Sequence, residues 1–260
     1  GTVYSDTAVL IPRQTAINNN ANSSDFTGTT RDTNKWGIND FNEGAGRFTK
    51  NDKLIYSTQG NPTGNDDVFR VWHGQALPYN QDWAVQTDVY LPNLGLALNA
   101  EVGVELFVTH QVDDGALATM GLEYKRTASG TERKFNALME GDHNDVREVH
   151  ASTASTNATV RLRWDATQKK FHYEYDADGP ANGSSWTLLE SKSVDGGASN
   201  WKMNESSSFI VMIGFWSKNH GIATTDNVWV DNFKIAELPK ITGQPLPQTV
   251  GVDGNATFSV

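Results

Sequence analysis

Three successive stretches between Thr159 and Val194 alternate apolar with polar side chains at every second position. The apolar members of this alternation are Val160, Leu162, Trp164, Phe171, Tyr173 and Tyr175. Successive side chains of a β-strand point to opposite faces of a sheet, so a period of two places this whole set on one face. Turns rich in Asp, Gly, Lys and Asn separate the stretches. The segment therefore predicts a three-stranded antiparallel meander with one buried and one wet face.

The same period predicts most of the remaining chain to be strands. The predicted ranges are Val3–Ile11, Leu54–Ser57, Val68–His73, Ala84–Leu91, Val102–Thr109, Ala118–Lys125, Lys134–Glu140, Phe209–Trp216 and Val228–Ile235. The Asn- and Ser-rich segment Thr15–Asn34 favours an irregular surface loop. Since no ten-residue window has a helical period, we expect an all-β, two-sheet antiparallel sandwich with almost no helix.

Three features together resemble the concanavalin A-like (laminin G-like) jelly-roll superfamily of lectin and glucanase domains. They are the meander, the apolar strand Phe209–Trp216 and the closing strand Val228–Ile235 with its Asp-Asn-Phe. The resemblance covers Tyr4 to Leu238 and implies a jelly-roll domain over residues 1–238. It further implies a secreted or cell-surface protein and a structural Ca²⁺ held by Asp231, with Asp25 and backbone carbonyls.

Residues 239–260 depart from this pattern. They begin with a proline-rich segment and then alternate again in Gly-Asn-Ala-Thr-Phe-Ser-Val. This end resembles a linker and the first strands of a truncated bacterial immunoglobulin-like domain, which would be the neighbouring domain in a longer modular protein. The alternative is an extended tail that packs on the jelly roll.

Charge and composition exclude several classes of partner. The net charge of −10 disfavours nucleic acid, whose binding depends on clustered Lys and Arg. No apolar run approaches the roughly 18 residues that insert into a bilayer. The absence of cysteine excludes disulfides and thiolate metal sites.

Asp176-Ala-Asp178-Gly179 begins like a calcium-binding loop but lacks the later ligands of such a loop, so a hairpin turn is the better interpretation.

Two carboxylates, Glu101 and Glu105, lie on the polar face of one predicted strand. Four residues along a strand separate them by about 13 Å, more than the roughly 5.5 Å of retaining or 6.5–9.5 Å of inverting glycosidases. Glu105 directly opposite Glu123 on the next strand would be close enough, although Lys125 could neutralise one of them. Similar jelly-roll glycosidases carry Glu-x-Asp-x-Glu or Glu-x-Asp-x-x-Glu, and Gly103 replaces the central Asp here. Glu105 and Glu123 are therefore weak catalytic candidates, expected to be dispensable.

Aromatic residues at strand ends are the better candidates for a binding site. Alternation places Phe209, Val211, Ile213 and Phe215 in the core, and therefore Trp216 on the outer face, with Gly214 leaving room for a ring. An indole beside Asn and His donors suits a sugar ring and its hydroxyls. The predicted carbohydrate-binding residues are Trp216, Asn219, His220, Trp72, His73 and Phe107. For Trp72 and Trp216, the alternative to glycan binding is packing at the edge of the core. The other three tryptophans of the strand pattern, Trp164, Trp186 and Trp229, are assigned to the core or a sheet edge.

These features predict a polysaccharide-binding module without catalytic residues. A glycoside hydrolase or polysaccharide lyase on the same fold is the first alternative. A structural or adhesive module that binds a protein is the second.

Overall fold

The computed structural model describes residues 23–24, 26–59, 66–110, 116–141, 146–180, 183–194 and 201–237. The predicted strand Val3–Ile11, Asp25 and the segment 239–260 lie outside these residues. The described strands are β1 Trp36–Glu43, β2 Gly46–Lys50, β3 Leu54–Thr58, β4 Asp66–His73, β5 Leu77–Pro78, β6 Trp83–Tyr90, β7 Glu101–His110, β8 Leu117–Thr127, β9 Gly130–Glu140, β10 Val146–Ser152, β11 Asn157–Asp165, β12 Lys170–Asp176, β13 Thr187–Ser193, β14 Ser208–Lys218 and β15 Val228–Glu237. Helical structure in these ranges is limited to a 3₁₀ turn at Thr224–Asp226.

The strands form two antiparallel sheets. The eight-stranded sheet has the order β1-β4-β14-β7-β8-β9-β10, with β5 paired to β14, and the seven-stranded sheet has the order β13-β12-β11-β6-β15-β3-β2. The chain passes repeatedly from one sheet to the other, so neighbours within a sheet are often distant in sequence. The prediction of an all-β jelly-roll sandwich is confirmed.

Aromatic rings fill the space between the sheets. Phe209 of β14 packs edge-on against Trp164 and Trp83 of the other sheet, at centroid distances of 4.9 and 5.2 Å. At another point of the interface, Tyr56 stacks on Phe215 at 5.2 Å. Each of these five side chains is fully buried. The inner face of each sheet is therefore committed to the core and is not open to a ligand.

The meander forms as predicted, as β11, β12 and β13. Its first turn is stabilised by Asp165, whose Oδ1 accepts hydrogen bonds from the backbone N–H groups of Thr167 and Gln168 at 2.9 and 2.8 Å. A side chain that satisfies two turn amides is typical of Asp in tight turns.

Four strands were not predicted, namely β1, β2, β10 and the two-residue β5. The first three each lie at an edge of their sheet, and β5 pairs with β14. An edge strand buries less of its surface than a central strand, so its apolar alternation is weaker. Period-two patterning therefore detects the middle of these sheets better than their margins.

Of the three tryptophans assigned to the core or a sheet edge, Trp164 is in the core and Trp186 directly precedes the edge strand β13, whereas Trp229 is in neither position. Trp229 is half-buried on the outer side of β15, stacked on Tyr90 at 5.3 Å. Trp186 precedes β13 and packs against the guanidinium of Arg161, 3.7 Å from the ring centroid. Long polar side chains thus shield rings that alternation places outside the core.

Among the described residues, no helix is long and apolar enough to cross a membrane.

Removing the ring of Phe209 should destabilise the sandwich strongly. We expect Phe209→Ala to lower the free energy of unfolding by about 3–5 kcal/mol, because the cavity opens between the two sheets. Leu98→Ala is the matched control, since Leu98 is 57% exposed and its truncation should cost less than about 0.5 kcal/mol. Urea titration measures both, and equal losses would contradict this account of the core.

Candidate functional site

Cross-strand register brings side chains of β4, β14, β7 and β8 together on the outer face of the eight-stranded sheet. One row across the sheet is Arg70, Gly214, Glu105 and Gly121. The next row is Val68, Trp216, Gly103, Glu123 and Lys134. Directly opposed side chains in a sheet are about 5 Å apart, so the two rows form a continuous surface. We call this surface the outer-face site.

The indole of Trp216 lies over Gly103, in the space that a Cβ at position 103 would occupy. Its Nε1–H donates a hydrogen bond to Glu105 Oε1. Trp216 is half-buried and, as predicted, faces away from the core. Glycine at position 103 therefore allows the ring to lie against the sheet while its N–H is held by a carboxylate.

Two more glycines allow the same close approach. The ring of Phe107 occupies the space above Gly214, and Glu105 contacts Gly121. The room expected beside Gly214 is thus filled by Phe107, a residue only 4% exposed. Phe107 forms the floor of the site and is not itself an open stacking surface.

Arg70 lies on this floor. Its guanidinium carbon is 4.5 Å from the ring centroid of Phe107 and 5.0 Å from that of Phe41, which is 39% exposed. Burial lowers the pKa of Arg70, and the nearby carboxylates of Glu105 and Glu43 oppose that shift. The site therefore holds a cation between two aromatic rings.

Glu105 and Glu123 do not face each other, which corrects the pairing considered from sequence. The register pairs Glu105 with Gly121 and Glu123 with Gly103, so the two carboxylates are diagonal neighbours. Diagonal positions on adjacent strands are about 7–8 Å apart. Their separation is thus larger than that of a directly opposed pair.

Both carboxylates are held in surroundings that favour the neutral acid. Burial raises the pKa of Glu105, against the lowering effects of Arg70 and the Trp216 N–H. Burial likewise raises the pKa of Glu123 to about 7, although Lys134 Nζ lies 3.4 Å from Glu123 Oε1. At neutral pH a substantial fraction of Glu123 is protonated. Lys125, which the sequence offered as a partner for Glu105 or Glu123, forms its ion pair with Glu101.

Trp72 and His73 lie on opposite sides of β4. Trp72 is half-buried on the outer face, opposite Met212. His73 is 4% exposed and packs between the sheets, with ring centroids 5.0 Å from Trp36 and 5.2 Å from Phe233. Alternation explains the difference, so the structure does not bring His73 to the outer-face site.

Asn219 and His220 follow the end of β14. Asn219 adopts a left-handed backbone conformation (φ 56°), and its Nδ2 donates to the carbonyl of Asn99 at 3.2 Å. His220 is half-buried, and burial lowers its pKa despite the nearby Asp226. These two residues lie three and four positions beyond Trp216, at the end of the outer-face site.

The predicted calcium ligand Asp231 lies directly opposite Asp88. Asp88 accepts from Thr159 Oγ1 at 2.5 Å and from Asn232 Nδ2 at 2.8 Å, so each of its oxygens already has a donor. In the described ranges, no group of three or more Asp, Glu, His or Cys side chains could hold a metal. The described residues therefore do not test the predicted calcium site, because Asp25, its other side-chain ligand, lies outside them.

The sequence analysis did not identify Arg70, Asn136 or Lys134 as site residues. Alternation in β4 could have indicated Arg70, because it shares a face with Trp72. Asn136 Nδ2 donates to Glu123 Oε2 at 3.5 Å, while its buried Oδ1 has no hydrogen-bond partner within the described part of the chain. This contact depends on the register between β8 and β9, which sequence does not specify.

No protein-family profile matches this sequence, and no curated protein matches it. Solved structures do resemble the fold. A pseudo β-1,3-glucanase and immunostimulatory antigen of Mycobacterium tuberculosis aligns with a TM-score of 0.50 and 11% identity, over 84% of this chain and 98% of that one. Peanut lectin aligns with a TM-score of 0.47 and 12% identity, over 84% and 98%. A legume lectin-like domain from Entamoeba histolytica gives 0.44 and 12%, over 77% and 91%.

These identities show the fold alone. The chain is a two-sheet antiparallel jelly roll.

A methyl group at position 103 should disturb the site more than the fold. Gly103→Ala would displace the Trp216 ring and break its hydrogen bond to Glu105, so we expect altered tryptophan fluorescence and a loss of about 1–3 kcal/mol of stability. Gly37→Ala is the control, because nothing lies within 4 Å of a Cβ there. Fluorescence spectra and urea titration of both variants test the prediction, and an unchanged Gly103→Ala spectrum would contradict the seating of Trp216.

Proposed function

We propose that this protein binds a polysaccharide through the outer-face site, without cleaving it. The observation that carries the proposal is the Trp216 indole, held over Gly103 by its bond to Glu105 and turned away from the core. A fixed, half-buried aromatic ring beside polar side chains suits the apolar face and the hydroxyl rim of a sugar.

Polar groups around the ring support this function. The neutral form that burial favours for Glu123 can both donate and accept a hydrogen bond. Asn136 contributes a buried acceptor that has no partner among the described residues. Sugar hydroxyls act as donors and acceptors at once, so a mixed set of this kind matches them.

A glycoside hydrolase is the second candidate, and the raised pKa values of Glu105 and Glu123 favour it. General acids at neutral pH need such values. Ion-pair and burial effects in non-catalytic sites raise pKa values too, and Lys134 and Arg70 already engage these groups electrostatically. Binding without cleavage therefore remains our proposal, and new reducing ends released when the wild type is incubated with a polysaccharide that it binds would replace it.

The wider setting of the domain is also a proposal. A secreted or cell-surface modular protein, with an immunoglobulin-like neighbour after residue 238, would present this face to extracellular glycans. A purely adhesive module that binds a protein is the remaining alternative, favoured if no glycan binds.

Replacing Trp216 should weaken glycan binding more than it weakens the fold. We expect Trp216→Ala to raise the Kd several-fold, because stacking of a sugar on the indole contributes on the order of 1 kcal/mol. Titration calorimetry on polysaccharides chosen by glycan array measures Kd. The array should include β-1,3-glucan, because the similar mycobacterial protein is described as a pseudo β-1,3-glucanase.

Trp229→Ala is the matched control, since Trp229 is half-buried on the outer face of the other sheet. It should leave Kd unchanged. Equal affinities of wild type and Trp216→Ala would reject the site, and a loss of stability as large as that of Phe209→Ala would assign Trp216 to structural packing.

A structural Ca²⁺ at Asp231 and Asp25 is a separate proposal. A ligand that binds only the native state raises its stability, so EDTA should lower Tm and added CaCl₂ should restore it. Asp231→Ala should abolish that response. If EDTA does not change the Tm of the wild type, the proposal of a structural Ca²⁺ is rejected.

A further inference from the structure

Arg70 has a charged side chain whose hydrogen-bonding capacity the protein leaves unused. It donates no hydrogen bond and forms no ion pair with the residues that the structure describes, and its Nε is buried without a partner. A guanidinium has five N–H donors, and a buried donor without an acceptor costs stability. Buried polar groups in proteins are normally satisfied, so this exception requires an explanation.

The aromatic rings hold this guanidinium in place without satisfying it. Phe107 lies on one side at 4.5 Å, and Phe41 on another at 5.0 Å. Cation–π contacts of this kind hold the plane of the guanidinium, but an aromatic ring accepts no conventional hydrogen bond from it. The donors are therefore oriented in advance, as in a binding site whose acceptor comes from a ligand.

Position connects Arg70 to the proposed glycan site. Arg70 is directly opposite Gly214, two residues along β14 from Trp216. Diagonal neighbours on adjacent strands are about 7–8 Å apart. A sugar ring stacked on Trp216 therefore extends its hydroxyls towards the guanidinium.

The surrounding charges decide which acceptor fits. Glu43 on β1 is a diagonal neighbour of Arg70 by register, and it acts electrostatically on the guanidinium. A carboxylate or sulfate on the ligand would have to approach the Glu43 carboxylate to reach the guanidinium, and a like-charge contact of that kind disfavours charged partners. A pair of neutral oxygens meets no such repulsion and still matches the planar fork.

We propose that Arg70 binds two adjacent hydroxyl oxygens of an uncharged sugar, so that the site selects neutral polysaccharides over uronate-containing or sulfated ones. This inference rests on the proposed glycan binding and adds its substrate class and its specificity-determining residue.

The experiment compares each neutral polysaccharide that binds with the same polymer carboxylated at C6. Calorimetry at 50 and 500 mM NaCl gives Kd for wild type, Arg70→Lys and Arg70→Met. We expect the neutral polymer to bind at least about tenfold more tightly than its carboxylated form, with little dependence on salt. Arg70→Lys keeps the positive charge but loses the paired N–H donors of the planar guanidinium. It should therefore weaken binding of the neutral polymer about tenfold.

Two further variants separate this inference from its alternatives. Glu43→Gln should improve binding of the carboxylated polymer and leave neutral binding unchanged, because it removes one repelling charge. Arg163→Lys, on the outer face of the other sheet, should change neither. The Tm of Arg70→Met should equal or exceed that of the wild type, because an unsatisfied buried donor is removed.

The outcomes distinguish the two proposals. Tighter binding of the carboxylated polymers, or wild-type affinity in both Arg70 variants while Trp216→Ala weakens binding, would overturn the inference and leave the glycan site intact. If the wild type binds neither neutral nor charged glycans, both proposals fall.

Discussion

Aromatic packing between the two sheets is the constraint on which the rest of the molecule depends. Phe209 reaches from β14 into rings supplied by the seven-stranded sheet, and the Tyr56–Phe215 stack joins the sheets at another point. Burial of large rings supplies the main favourable free energy of such a sandwich. Because β14 commits Phe209, Val211, Ile213 and Phe215 inwards, it must present Gly214 and Trp216 outwards. The core thus determines which face of the central strand is free for binding.

The outer-face site depends on three glycines, whose lack of a side chain leaves room for their neighbours. Gly103, Gly121 and Gly214 lie on three adjacent strands, and the space above each is taken by a larger neighbour. This arrangement lets an indole, a carboxylate and a phenyl ring lie close to the backbone. The side chains support one another, since Trp216 holds Glu105 and Phe107 holds Arg70.

The same site is costly to the folded state. Burial raises the pKa values of Glu105 and Glu123, which means that their ionised forms are poorly solvated there. Arg70 lacks an acceptor among the described residues. Proteins tolerate such groups where binding requires them. On the outer face of the other sheet, the buried Arg161 is instead matched by Glu174 at 2.6 Å.

The sequence by itself determined the fold class, the meander and the side to which each central strand turns its residues. Those properties follow from a local rule, the alternation of side chains along a strand, which needs no knowledge of partners. It placed Trp216 outside, and applied to β4 it separates Trp72 from His73. The edge strands β1, β2 and β10 were missed because weak burial leaves weak alternation. Only the tertiary structure decided that Glu105 faces Gly121 and not Glu123, that Phe107 fills the space at Gly214, and that Arg70 lies on that ring. These contacts depend on register, which for Phe107 and Arg70 is a register between strands far apart in the chain, and register is fixed by the packing of the whole sandwich.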